Sequence, residues 1–329
     1  MPTHFANNIL DRPDRFAMPI GVYAGLELTG ANVRQAVTEA QAQTDAVLAL
    51  HERFHTEALL TAMDLSAEAE TFGCDIRMED DDIPTVIGRR AATAAEVAAL
   101  PDPLPGDLRT AVHLETARRL VESGKAPVFG GCIGPFSLAG RIFGVSEALE
   151  ATVLEPELVL TLLQKVTCFL SGYVGAFRET GAAGVIMAEP AAGLLSPRGL
   201  ARFSAAFVKQ IVEAVQMPDF VIILHNCGAK LAHLPKVLES GAEVYHFGAP
   251  MDLPAALAQV DGGVILGGNL DPTAVFHSGT PEQVHRQTQE LLEAVRAYPN
   301  FFISSGCDIP PGTPIANLDA FYRTVRDFR

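Results

Sequence analysis

The stretch "GVIMAEPAAGLLSPRGLARFSAAFVKQIVEAVQMPDFVIILHNCG" (184–228) reads as one strand–helix–strand unit. Its first run, GVIMA, is apolar and stops at Glu189 and Pro190, the pattern of a strand buried on both faces. In "SPRGLARFSAAFVKQIVEAVQ" the apolar residues recur at helical spacing, with Ser196 at the N-cap and Pro197 at the first helical position. There a serine oxygen satisfies a free amide and proline gives up nothing. "FVIILHNCG" is a second apolar run ending in small and polar residues.

Outward from this unit the same alternation recurs. Apolar runs at "MPIGVYAG" (18–25), "EALLTAMDLS" (57–66), "APVFGGCIGP" (126–135), "EVYHFGAP" (243–250), "GVILGGNLDP" (263–272) and "FFISSGCDIP" (301–310) bring the total to eight. The second also reads as a helix end. Between them, "NVRQAVTEAQAQTDAVLALHERFHTEALL", "DLRTAVHLETARRLVESG", "PELVLTLLQKVTCFLSGYVGAFRETG" and "TPEQVHRQTQELLEAVRAY" show a 3.6-residue period. Thr280, Pro281 and Glu282 repeat the capping device of Ser196. Eight strands alternating with helices predict an α/β fold, a (β/α)8 TIM barrel with extra N-terminal helical or hairpin elements. A single barrel domain over 1–329 is expected, with an N-terminal extension of about 1–17. No G-x-G-x-x-G follows the first strand, which disfavours an open dinucleotide-binding sheet.

Of the 329 residues, 48% are hydrophobic and 19% charged, ample for a large core. A net charge of −15 argues against a nucleic-acid partner, which needs a cationic face. Runs such as "FVIIL" are too short to span a bilayer, and no signal-peptide core opens the chain. A cytoplasmic protein with no membrane partner is expected. The dense acidic run "RMEDDDIP" (77–84) reads as a solvated turn. "FGGCIGP" and "LGGNLDP" do not match a phosphate loop. Five cysteines, 74, 132, 168, 227 and 307, are odd in number and widely spaced, so free thiols or metal ligands are expected rather than disulfides.

In a barrel the active site forms where the strands end. His225 and Cys227 stand there on the fifth run. At spacing i, i+2 they share a face, and Asn226 points away. Cys307 stands at the matching end of the eighth run. Strands five and eight do not pair, so these side chains meet only over the cavity. One histidine and two cysteines suit Zn²⁺, and three protein ligands leave the open position of a catalytic site. Such a site binds an incoming thiol and lowers its pKa, which suggests alkyl transfer to sulfur. The competing reading is a hydrogen-bonded core histidine beside inert thiols; spacing alone does not choose.

Other residues at the mouth carry paired readings. Glu189 is a weak fourth ligand or proton acceptor, or else a helix cap. Asn269 and Asp271 in "GGNLDP" contact substrate, or form a turn with the aspartate at a helix start. Asp308 orients a ligand or caps a turn. His246 lines the cavity or is a satisfied core histidine. Cys132 faces the mouth or packs; Cys74 and Cys168 are assigned to structure.

The segments "MDLSAEAETFGC" (63–74), "GPFSLAGRIFG" (134–144), "LHNCG" (224–228), "GGNLDP" (267–272) and "SSGCDIPPGTPIANLDAF" (304–321) resemble the uroporphyrinogen decarboxylase superfamily, and within it the methylcobamide:coenzyme M methyltransferases. The resemblance runs over nearly the whole chain. It implies a barrel, zinc held by His225, Cys227 and Cys307, and a methyl group arriving on a corrinoid (methylcobamide) carried by a separate corrinoid-binding protein. A thiol such as coenzyme M would accept it, with Lys230 the nearest cation to the zinc motif for a sulfonate. Asn226, Asn269, Asp271 and His246 are expected substrate contacts from their places at the mouth. The superfamily's decarboxylases carry an arginine-rich element after the first strand, whereas "PIGVYAGLELTG" has no arginine between Arg15 and Arg34. A polyanionic porphyrinogen would find no clamp there. The alternatives are a zinc-free corrinoid/tetrahydrofolate methyltransferase, a uroporphyrinogen decarboxylase-like enzyme, and a non-catalytic docking partner of a corrinoid protein.

Overall fold

The computed structural model describes residues 2–328. Among them are nine strands: β1 (Leu59–Leu60), β2 (Asp75–Arg77), β3 (Thr85–Ile87), β4 (Val128–Ile133), β5 (Gly184–Ala188), β6 (Val221–Asn226), β7 (Val244–Phe247), β8 (Ile265–Leu270) and β9 (Phe301–Ser305). Seven form one curled parallel sheet in the order β1-β4-β5-β6-β7-β8-β9. Every residue of β4, β5, β6, β7 and β9 is buried. This follows from helices covering the outer face while side chains fill the inside, and it explains why these strands read as continuous apolar runs rather than alternating ones.

The eighth strand position is occupied, but not as the sequence suggests. Residues 16–20 run extended along β9, with a parallel bridge between Ala17 and Ile303 and a bond from the Met18 N–H to the Ile303 carbonyl. Its other neighbour is held by a side chain, the Ala17 N–H donating to Glu57 Oε2 at 3.1 Å. The expected strand over 18–25 ends early because Pro19 lacks a donor and the chain turns into a 3₁₀ helix, Val22–Gly25. The second run is a strand of two residues that pairs with Val128 and Phe129, not a helix end. The acidic run at 77–84 belongs to the β2–β3 hairpin.

Helices follow the expected caps. Ser196 Oγ accepts from the Gly199 N–H, and Thr280 and Gln283 form a capping box. The helix Pro156–Glu179 is long and apolar enough by length and composition to cross a membrane. Its buried face packs Phe169, Tyr173 and Phe177 into the core, as a barrel's outer helix requires. At the end where the strands begin, the helix His4–Leu10 plugs the barrel floor. Phe5 sits 5.5, 5.0 and 6.2 Å (ring centroids) from Phe16, Phe129 and Phe302, edge-on contacts that aromatic quadrupoles favour. The opposite end is left for chemistry.

Candidate metal centre

β6 ends at Asn226 and carries His225 as its last inward-facing residue; Cys227 follows in the turn. β9 ends at Ser305, and Cys307 lies two residues beyond. Two strands separate β6 from β9. The chains nevertheless converge because the loop after β7 carries no side chain where it passes Cys227: a Cβ on Gly248 would stand 2.7 Å from the Cys227 Cα. One ligand atom each from His225, Cys227 and Cys307 then lies within 4.8 Å of the others.

The electrostatics fit a group prepared to bind a cation. Cys227 is brought down to about 7, chiefly because the Cys307 thiol donates to its thiolate. Cys307 is pushed up to about 12, because it keeps the shared proton and is largely buried. The pair therefore yields its first proton near neutrality and holds the second, a coupled titration of one unit. His225 is 2% exposed, and its Nε2 has no hydrogen-bond partner among the described residues. A buried ring nitrogen left unmatched beside two thiols is costly unless something occupies the space between them. A borderline-soft divalent cation satisfies all three atoms at once.

The other expected residues make the following contacts. Both oxygens of Glu189 are taken: Oε1 accepts from the Phe136 N–H (2.8 Å) and Ser204 Oγ (3.2 Å), and Oε2 from the Ser137 N–H (2.9 Å) and Ser137 Oγ (2.6 Å). It caps the helix Pro135–Phe143 and lies outside the group of converging ligands. Asn226 Oδ1 accepts from the Gly228 N–H at 3.2 Å, closing the turn. Asn269 Nδ2 donates to the carbonyls of Gly248 and Met251, pinning the loop beside Cys227. Asp271 Oδ1 accepts from the N–H groups of Thr273 and Ala274, the helix-start reading. His246 is 0% exposed and sits behind His225, its Nδ1 2.7 Å from His225 Nδ1. Lys230 is exposed on the turn three residues past Cys227.

Both carboxylate oxygens of Asp308 are buried with no hydrogen-bond partner among the described residues. Burial, reinforced by the neighbouring Cys307, holds it protonated well above the usual carboxylate range. Cys132 is buried and packs; Cys168, expected to be structural, is exposed on the helix Pro156–Glu179. There it lines a groove of about 810 Å³ with Phe72, Pro103, Leu104 and Phe169, which includes none of the converging ligands. Two contributors escaped the sequence reading. Ser304 binds His246, and Gly248 makes room for Cys227.

Residues 17–328 match the family model described as uroporphyrinogen decarboxylase (URO-D). A methylcobamide:CoM methyltransferase (MtbA) of Methanosarcina mazei is 30% identical over 315 residues, 94% of this chain and 91% of that protein. A methylated-thiol–coenzyme M methyltransferase from the same organism is 27% identical over 92% of this chain and 81% of its own length. Among solved structures, a methyltransferase from Methanosarcina mazei superposes with a TM-score of 0.88 at 23% identity, covering 98% of this chain and 97% of that one.

Proposed function

Since the chain belongs to the uroporphyrinogen decarboxylase family, and within it to the methyltransferase branch, we propose that it moves a methyl group from a methylated corrinoid to a thiol, with zinc held by His225, Cys227 and Cys307. The observation that carries this reading is the convergence of three ligand atoms within 4.8 Å at the ends of two non-adjacent strands. Three ligands from the chain leave one position for the acceptor. When bound, the metal supplies the Lewis acidity that makes an acceptor thiol a thiolate at neutral pH.

The chain's own residues do the rest. Cys227 and Cys307 give up their protons to hold the cation. The acceptor sulfur attacks the methyl carbon in line. A carbon–sulfur bond forms as the cobalt–carbon bond breaks, and its electron pair stays on the corrinoid, whose cobalt goes from Co(III) to Co(I). The corrinoid arrives on a separate carrier protein at the barrel mouth. For a sulfonated acceptor such as coenzyme M, Lys230 is the proposed counter-charge. Glu189, Asn226, Asn269 and Asp271 keep the structural roles described above, and the protein works in the cytoplasm as a single barrel domain.

The test is zinc per chain by elemental analysis, with thiol-dependent demethylation of methylcobalamin followed by absorbance. About one zinc in the wild type, lost in Cys307→Ser together with the transfer, is the expected result. A metal-loaded wild type that holds no zinc yet transfers methyl groups to tetrahydrofolate would replace this reading with the folate one.

A further inference from the structure

Behind His225 runs a chain of hydrogen bonds whose direction is fixed at its far end. Ser304 Oγ lies 2.7 Å from the Met18 carbonyl and 2.7 Å from His246 Nε2. His246 Nδ1 lies 2.7 Å from His225 Nδ1. All four residues are buried. The chain crosses from β7 to β9 over β8, where the residue in register with His246 is Gly267, which has no side chain to block the path.

A carbonyl oxygen only accepts, and a serine hydroxyl has a single proton. At 2.7 Å that proton must lie between Ser304 Oγ and Met18 O. Ser304 is therefore an acceptor toward His246, whose Nε2 must carry a proton. His246 is fully buried, and its ring nitrogens meet Ser304 and His225 with no carboxylate bonded to either, so the ring stays neutral and its Nδ1 is bare and accepts. The partner nitrogen, His225 Nδ1, must then be the donor. Only one ring nitrogen of a neutral histidine carries hydrogen, so His225 Nε2 is left with its lone pair. That is the nitrogen with no partner among the described residues.

We propose that Ser304 and His246, anchored on the Met18 carbonyl, are positioning residues that hold His225 as its Nδ1–H tautomer, with bare Nε2 presented to Cys227 and Cys307. The function of this tautomer rests on the reading of His225 as a zinc ligand; its existence does not. Ligating histidines commonly lean on a carboxylate or carbonyl. Here the chain of partners is neutral throughout. Two thiolates already cancel a divalent cation, and an acceptor thiolate adds a further negative charge. A carboxylate behind His225 would oppose that third thiolate, and a neutral imidazole does not.

Long-range ¹H–¹⁵N spectra of the metal-free full-length protein distinguish protonated from bare ring nitrogens, with signals assigned through His225→Gln and His246→Gln. The expected wild-type pattern is Nδ1–H for His225 and Nε2–H for His246. Ser304→Ala, which only removes an oxygen, is expected to lose that single pattern and to bind zinc about 10- to 100-fold more weakly by chelator competition. A His225 protonated on Nε2 in the wild type overturns the proposal. So does a Ser304→Ala protein with unchanged tautomers and unchanged affinity. A wild type that shows the expected tautomers but takes up no zinc upholds the relay and sinks the metal reading, so the two failures are told apart.

Discussion

The ends of β4 and β5 and the ends of β6 and β9 hold much the same kinds of side chain, and only one pair of ends holds a candidate metal site. At β4–β5 stand Cys132, Glu189 and Glu68, whose Oε1 accepts from the Ile133 N–H at 2.8 Å. Glu189 meets four donors. Cys132 shares a strand face with Gly130, where a Cβ would lie 2.5 Å from the Phe177 ring, so that face is filled by the helix Pro156–Glu179. At β6–β9 the fold leaves a bare ring nitrogen and two thiols converging on one point. Position at a strand's end is therefore not what marks a site. The mark is convergence: Glu68 Oε2 on the β4–β5 side is also buried without a partner among the described residues, but at β6–β9 a ring nitrogen and two thiols meet within 4.8 Å.

The sharpest way to break this contrast is to exchange thiols on both sides. Cys227→Ser and Cys307→Ser are each expected to lower zinc affinity by about 100-fold or more, since thiolate ligation supplies much of the binding free energy, and methyl transfer should fall with it. Cys132→Ser should keep one zinc per chain and instead lose about 1–3 kcal/mol of stability, because a hydroxyl is buried where a thiol packed. Metal analysis and urea unfolding of the three variants decide it; retention of zinc in both β6–β9 variants would erase the distinction. Next in size is Glu189→Ala. It strands the Phe136 and Ser137 N–H groups and two serine hydroxyls, so about 3 kcal/mol or more should go from unfolding. Zinc stoichiometry should not move. If zinc is lost from a folded Glu189→Ala, the carboxylate is a ligand and not a cap.

What was legible in the sequence divides along the same line. β4 to β9 were readable because strands covered on both faces are continuous apolar runs, and the helices between them keep their period. The strand at 16–20 was misplaced because its pairing with β9 joins residues nearly 290 positions apart, and nothing local distinguishes Phe16 to Ile20 from the turn that follows. His225, Cys227 and Cys307 were readable from one rule of strand geometry and one of barrels. Ser304 was not. Its role arises from a contact that jumps over β8, and alternation along one strand carries no information about that. Glu189 looked like a mouth residue since it ends a strand, and only the position of the helix Pro135–Phe143 shows its carboxylate to be occupied.

On the β4–β5 side, burial also leaves a signature in pH. Glu68 is fully buried, and this raises its carboxyl to about 8, against about 4.5 in an unfolded chain. Between those values the unfolded chain has released the proton that the folded protein keeps. The folded state then binds more protons, and stability falls as pH rises. This contribution is fully present below about 4.5 and declines by about 1.4 kcal/mol per pH unit until the group ionises in the fold near 8. Glu68→Gln removes it while keeping the acceptor for Ile133. The difference in unfolding free energy between wild type and Glu68→Gln, measured from pH 5 to 8, should therefore slope in the mutant's favour. A flat difference would place Glu68 in contact with water.

The smallest effect tests the last residue shared between the two kinds of reading. Asp271 ends β8 close to the metal side of the barrel, yet its Oδ1 accepts from the Thr273 and Ala274 N–H groups at 2.9 and 2.7 Å. An aspartate so engaged is worth about 1 kcal/mol to the helical turn it opens. Asp271→Asn keeps an oxygen in place and should cost only a few tenths, while Asp271→Ala should cost the full amount. Neither should change KM for the thiol or for methylcobalamin, since Oδ1 holds the helix start and Asp271 is not among the converging ligands. If Asp271→Ala raises KM with unfolding unchanged, the carboxylate serves the substrate and not the turn. Polar capacity in use by the fold would then be a poor guide to what lies outside the site, and the contrast between the two sets of strand ends would need a different basis.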